Sequence, residues 1–292
     1  MMDRARMPND RARAPSDRSR TAAIAPPRSR LRAATAVLRA FWRMNVVEEM
    51  QYRANFIASL ISTVFWLALA LLTVALFFSH TTRLGGWSYW EVVALLGVFN
   101  ALTGVVEAVL RPGVGRLAED VRTGKLDLIL TRPVDAQFYV SFRRLDLWRF
   151  ADVILGLGLA GYAIARLGRT PSVFDVLAFV VTLGAAVAVV YAIWVALMSL
   201  AFWFVAVENL SVLFDAVYEA ARYPVSAYPG ALRFLFVYLI PIAWTTTIPA
   251  SALTGRLGPG LAAGAAAVGI IAIVLTRLMW RAALRRYTSA GG

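Results

Sequence analysis

Glu208, Asp215, Glu219 and Arg222 stand seven, four and three residues apart in a stretch that is otherwise mostly apolar. On a helix this spacing puts all four on one face. Such a face can pair with counter-charges, exchange a cation or proton inside a membrane, or simply be solvated. Asp146, Arg149 and Asp152 recur every third residue and are placed to pair with one another. Other chemistry is sparse. The 292 residues include no cysteine and one histidine, His80, which excludes disulfides, thiol chemistry and Cys- or His-rich metal sites. No nucleophile–base set is visible, so neither catalytic nor metal residues are assigned. Gly156-Leu-Gly-Leu-Ala-Gly161 has the form of a dinucleotide loop, but no strand precedes it and it lies inside an apolar run. Small residues that let helices approach closely explain it better, as they do at Gly260 and Gly264. The GxxxxGK[ST] pattern of a phosphate-binding loop does not occur.

The elements that position these residues belong in a bilayer. Sixty per cent of the chain is hydrophobic, and Phe56–Phe78 is long enough to cross. Further spans are expected at about 92–110, 147–165, 176–198 and 261–280, the second carrying Glu107 near its inner end. Residues 1–30 alternate Arg, Asp, Ser and Pro and read as a disordered basic tail. Residues 31–55 read as an amphipathic helix in the membrane interface. Leu31, Ala34, Leu38 and Phe41 form its stripe, continued by Trp42, Val46 and Met50, with Trp42 and Tyr52 at headgroup depth. Arg83, Gly85-Gly86, Trp87, Tyr89 and Trp90 form a short interfacial loop after the first span.

Between the second and third spans lies a soluble knuckle within 111–145. Val114–Arg122 can form about two helical turns, with Leu117 and Val121 on one side and Arg116, Glu119, Asp120 and Arg122 around the rest. Gly124 stands at a helix C-cap position, Arg122 and Lys125 suit the negative pole of the helix, and Pro133 stops any following helix from running back. Leu126 and Asp127 complete the segment. A compact charged element held by two membrane helices suits a membrane subunit that receives force from a soluble partner. Leu117, Val121 and Leu126 are expected to supply the apolar contact, and the charges its register.

The region after the fourth span is open to two readings. Residues 204–222 form either a fifth span with its charged face turned from lipid or a solvated amphipathic helix, which hydropathy alone favours. The stretch that follows, broken at Pro224, Pro229, Pro241 and Pro249, is either one kinked span or a re-entrant hairpin over about 224–258. The net charge of +13 is almost wholly arginine. Twelve arginines precede the first span, eight basic residues lie between Arg111 and Arg149 and four close the chain, against Arg83, Arg166, Arg169 and Arg256 in the opposing loops. The positive-inside rule then puts both termini, including the 281–292 tail, in the cytoplasm and gives six crossings; that rule and a codon bias towards Arg and Ala account for the charge better than binding to nucleic acid or anionic lipid, and no nucleic-acid partner is expected.

Several separated motifs make the chain resemble the permease subunits of ABC-2-type bacterial transporters, specifically a six-span branch. They are Tyr52-Arg-Ala-Asn-Phe56, Gly85-Gly-Trp87, Thr123-Gly-Lys-Leu-Asp-Leu-Ile-Leu-Thr-Arg-Pro133, Arg222-Tyr-Pro-Val-Ser-Ala-Tyr-Pro229 and Ile240-Pro241. The resemblance covers about residues 35–285. It implies an all-α polytopic fold of six transmembrane helices, with an interfacial N-terminal helix, a coupling helix between spans two and three, and a re-entrant outer hairpin between spans five and six. It places the fifth span at about 204–222, with Asp215, Glu219 and Arg222 turned to the pathway or to a second half. It implies an exporter half in the bacterial inner membrane, partnered by two ATPase subunits that bind ATP and Mg, and by a sister permease or a second copy of the chain. An ion-coupled transporter or channel is the competing reading, with Asp215 and Glu219 as coupling groups.

Overall fold

The computed structural model describes residues 27–50, 53–202, 208–239 and 241–287. The basic tail, Tyr52 of the first motif, Ile240 and the start of the expected fifth span fall wholly or partly outside them. In chain order the helices are α1 (Pro27–Met50), α2 (Arg53–His80), α3 (Tyr89–Val105), α4 (Arg111–Gly113), α5 (Leu117–Arg122), α6 (Lys125–Leu130) and α7 (Ala136–Phe142). They continue as α8 (Phe150–Arg166), α9 (Val173–Ser199), α10 (Glu208–Tyr218), α11 (Gly230–Phe234), α12 (Thr247–Leu253) and α13 (Pro259–Arg286). Among the described residues there is no strand, and five helical runs are long and apolar enough to cross a membrane: Ile57–His80, Tyr89–Arg122, Leu147–Arg166, Val173–Phe202 and Pro259–Arg286. The chain is an all-α, multi-pass membrane protein.

Two spans run further than their hydropathy indicates. The helical path of α3 does not stop at residue 110. A π-helical turn at Val106–Leu110 leads through α4 and a 3-10 turn into α5, so the knuckle helix is a continuation of the second span. Pro112 does not break this path, because the Ala108 carbonyl four residues back, which Pro112 cannot bond, accepts from Asp146 N at 2.8 Å instead. Likewise α9 passes through residue 198 and extends by a 3-10 turn to Phe202.

The centre of the fold is the α3–α8 crossing. Gly97 and Gly104 of α3 lie against Ala160, Gly156 and Val153 of α8, backbone to backbone. By contrast a Cβ at Gly260 or Gly264 would meet nothing within 4 Å, so the close packing expected there is absent among the described residues. On α13 that role falls to Gly269, which packs on Ala185 of α9. Asp152, buried at the start of α8, accepts a hydrogen bond from Thr63 Oγ1 of α2 at 2.7 Å and an ion pair from Arg149 at 3.4 Å, while its carbonyl accepts from Asn100 of α3 at 2.9 Å.

The two ends of the bundle differ. At one, which we term the hairpin end, Gly85 and Gly86 both take positive φ in a two-residue turn between Leu84 and Trp87. Ser226 donates to the Gly85 carbonyl at 2.6 Å, Arg256 bonds both Gly86 and Glu91, and Arg169 reaches the Thr254 carbonyl at 2.8 Å. At the other, the knuckle end, α1 docks through Phe41, edge-on to Tyr139 at 5.1 Å, and through Asn45, whose Oδ1 accepts from Leu145 N at 3.2 Å. The expected stripe on α1 is thus divided: Phe41 and Asn45 face the protein, whereas Trp42, Met44 and Val47 are exposed. Phe41→Asp should therefore lower thermal stability in detergent by the equivalent of ~1.5–3 kcal/mol, and Leu38→Asp, at a more exposed site, by clearly less. Equal melting temperatures for the two variants would show that α1 is held by its lipid-facing side alone.

Candidate coupling and pathway sites

The knuckle folds back on its own bundle. Thr123 N and Gly124 N close the end of α5 on the carbonyls of Glu119 and Val121, and Gly124, at φ +69°, turns the chain into α6. This places the apolar stripe against the protein. Leu117 and Leu126 are fully buried in the main core, and Val121 packs on it from the side. The expectation that Leu117, Val121 and Leu126 offer an apolar surface to a partner is therefore corrected. Periodicity gave the stripe, and the stripe is covered by this chain itself, α5 packing on α9 and on the 3-10 turn that extends it. Asp120 is likewise inward, 5% exposed and paired with Arg143 beyond α7. What remains outside is Arg116, Glu119 paired with Arg122, Lys125, and Leu128, which is 68% exposed beside Thr131, Arg132 and Pro133. Asp127 lies against Tyr287 at the end of α13.

Beneath the knuckle, α7 carries a polar network. Asp135 caps α7 by accepting from Phe138 N, and both its oxygens take Arg277 of α13. Arg277 also donates to Gln137 Oε1 at 2.9 Å, Gln137 donates to Tyr191 OH at 3.1 Å, and that hydroxyl meets Ser141 at 2.8 Å. Burial pushes the Asp135 carboxyl up, but the Arg277 and Phe138 hydrogen bonds outweigh it and leave the group below its ordinary range, hence charged.

The charges at 215, 219 and 222 find two partners. Arg222 pairs with Glu219 at 2.6 Å, but Asp215 turns to Arg111 at 2.8 Å. Arg111 also holds Glu107, one turn back across the π-helical segment, at 2.9 Å, and its guanidinium lies 5.5 Å from the Trp194 ring centre. The side chain of Glu208 lies outside the described residues. Aromatic contacts set the depth of α10: Phe214 meets Trp194, Tyr218 stacks on Phe99, and Tyr223 meets Phe77 near the hairpin end of α2. The segment 208–223 thus climbs from the level of Arg111 to the hairpin end. There Thr246 Oγ1 bonds the Ala221 carbonyl and Tyr228 OH the Ala220 carbonyl. Pro224 and Pro249 are buried at that end, Pro241 is half-buried and Pro229 exposed.

Residues 64–291 match the family model described as ABC-2 family transporter protein. The chain belongs to this family. No curated protein and no solved structure matches it. As an ABC-2-type permease it is a membrane component of an ABC transporter and works in the context of ATPase partners. Three features of this permease escaped sequence reasoning. The Glu107–Arg111 pair was open to it, since the residues are four apart on one helix. The Arg111–Asp215 link, across 104 positions, was not. Leu128 was passed over because the helical stripe directed the apolar contact to Leu117, Val121 and Leu126.

Proposed function

We propose that the chain is one half of an ATP-driven exporter in the bacterial cytoplasmic membrane, with both termini and the knuckle on the cytoplasmic side. Two separate ATPase subunits bind ATP and Mg, and a sister permease or a second copy supplies the other half. The observation that carries this reading is the helical run Tyr89–Arg122. At 34 residues it is about 50 Å long if straight, against ~30 Å of hydrocarbon, and it ends in the charged knuckle. One element thus connects the hairpin end, the Arg111 cluster and an exposed tip. Segment 204–222 is the fifth of six crossings, and 224–258 the re-entrant hairpin that closes the outer end. Glu107 and Asp215 both pair with Arg111, which sets two carboxylates beside the proposed pathway, where they suit cationic, partly apolar cargo.

The knuckle docks through Leu128 and its ring of charges. Leu128→Asp should reduce co-purification of the ATPase at least about tenfold, the loss expected of a single buried anchor, without changing the melting temperature of the permease alone. Leu126→Asp should instead destabilise the permease. Full complex with Leu128→Asp would remove the docking assignment. The ion-coupled reading draws on the same two carboxylates. In proteoliposomes containing the complex, uptake that needs ATP and survives an ionophore supports export by the ATPase, and uptake abolished by the ionophore supports ion coupling.

A further inference from the structure

A groove runs between α9 and α13 on a surface where Val181, Ile270 and Val274 are exposed, as lipid-facing residues are. It joins a cavity of about 370 Å³ at the Val181 and Ile270 level to one of about 740 Å³ that reaches Phe138 and Tyr191, with Gly184, Ala188 and Ile273 lining both. From Val181 to Tyr191 the groove follows α9 for about 15 Å at ~1.5 Å per residue, half of the ~30 Å hydrocarbon core. Its depth is therefore that of one leaflet. Its walls are apolar until the end, where the Arg277–Asp135–Gln137–Tyr191 network closes it. Beyond that point Arg281 and Arg285 follow Arg277 at one-turn intervals on α13, both exposed.

We infer that this groove holds an anionic phospholipid of the leaflet at the knuckle end. One acyl chain lies along Gly184 and Ala188, and the phosphate lies beside the arginine row. Shape sets the first part: an apolar slot of leaflet depth, ending in polar groups, matches an amphiphile and not a polar solute. Charge sets the second. Asp135 neutralises Arg277, so Arg281 is the residue that distinguishes an anionic from a zwitterionic headgroup, as basic residues at the ends of membrane helices do. The inference rests on membrane residence alone and does not depend on ATPase coupling or on the direction of transport.

Native mass spectrometry of the purified permease in detergent, titrated with dioleoylphosphatidylglycerol or dioleoylphosphatidylcholine, tests it. The wild type should retain one phosphatidylglycerol per chain, with about a fivefold preference over phosphatidylcholine, as expected for one arginine near the surface. Arg281→Gln should erase the preference and keep the binding. Gly184→Leu should abolish retention of both lipids while leaving the fold intact, because a Cβ at Gly184 meets nothing within 4 Å and the rest of the side chain extends into the groove. Unchanged retention in Gly184→Leu, or equal affinity of the wild type for the two lipids, would overturn the inference. So would disulfide crosslinking of two chains through Gly184→Cys, clean in a chain without other cysteines, since a second copy would then cover the groove.

Discussion

Gly156→Ala is expected to collapse the yield of folded permease, whereas Gly158→Ala, two residues along the same helix, is expected to be silent. A Cβ at Gly156 would run into the backbone of Ala101 and the Gly97 carbonyl, and one at Gly97 would stand 2.6 Å from both Ala160 N and Gly156 O. Neither obstacle is the flexible end of a side chain, so α3 and α8 must separate along their whole contact. Overpacking typically costs ~1–3 kcal/mol where side chains can yield. Here the backbone must move, and in a bilayer no hydrophobic driving force between helices compensates for lost contact. Separation would also strain the Thr63–Asp152 and Asn100–Asp152 bonds that tie α2 and α3 to α8. At Gly158 and Gly161 an added methyl meets nothing within 4 Å. Monodisperse yield after detergent extraction, and the melting temperature of what remains, separate the two cases. Equal behaviour of Gly156→Ala and Gly158→Ala would show that the crossing is looser than its geometry.

The same motif shows where sequence reasoning works in this permease and where it ends. Gly156–Gly161 reads correctly as a helix-packing element because its apolar surroundings exclude a phosphate loop, yet only Gly156 of its three glycines makes the contact. Composition specifies small residues; rotation of the helix, which composition does not carry, decides which of them is used. The knuckle repeats the point. Its turn at Gly124 is local chemistry and visible in the chain, while the partner of its apolar stripe is a tertiary fact. Leu117 and Leu126 could have faced a second protein; they are buried in the chain's own core instead, and α5 meets α9 and its extension because the second span runs on into the knuckle helix. Span limits fail for a related reason. Hydropathy falls where charges begin, at Arg111, but the helix continues because Arg111 has both Glu107 and Asp215 to neutralise it. Pairing over 104 positions has no signature in one sequence. Nor has the π-helical turn at Val106–Leu110, although such turns often mark sites where a side chain is re-aimed.

Asp120→Ala is expected to destabilise the permease more than any other single change to the knuckle's charges. Its carboxylate and the Arg143 guanidinium are 7% and 15% exposed, far less than Glu119 and Arg122, at 45% and 62%. Removing a partner from a buried pair strands the other charge and typically costs ~3–5 kcal/mol, whereas an exposed pair is worth ~0–1 kcal/mol. Arg143 is poorly placed to recover, since its Nε is buried and has no hydrogen-bond partner among the described residues. The pair ties α5 to the segment beyond α7, and α7 is itself tied to α13 through Asp135 and Arg277. Loosening it should therefore free the knuckle from the bundle as well as lower stability. Glu119→Ala, the exposed control, should shift the melting temperature by little. The joint replacement Asp120→Leu with Arg143→Met should recover most of the loss, because apolar groups of similar volume leave no stranded charge. Restored stability in that double variant, with transport still impaired, would separate the pair's role in rigidity from its role in holding the fold. A double variant as unstable as Asp120→Ala would show that the stranded guanidinium is not the cause.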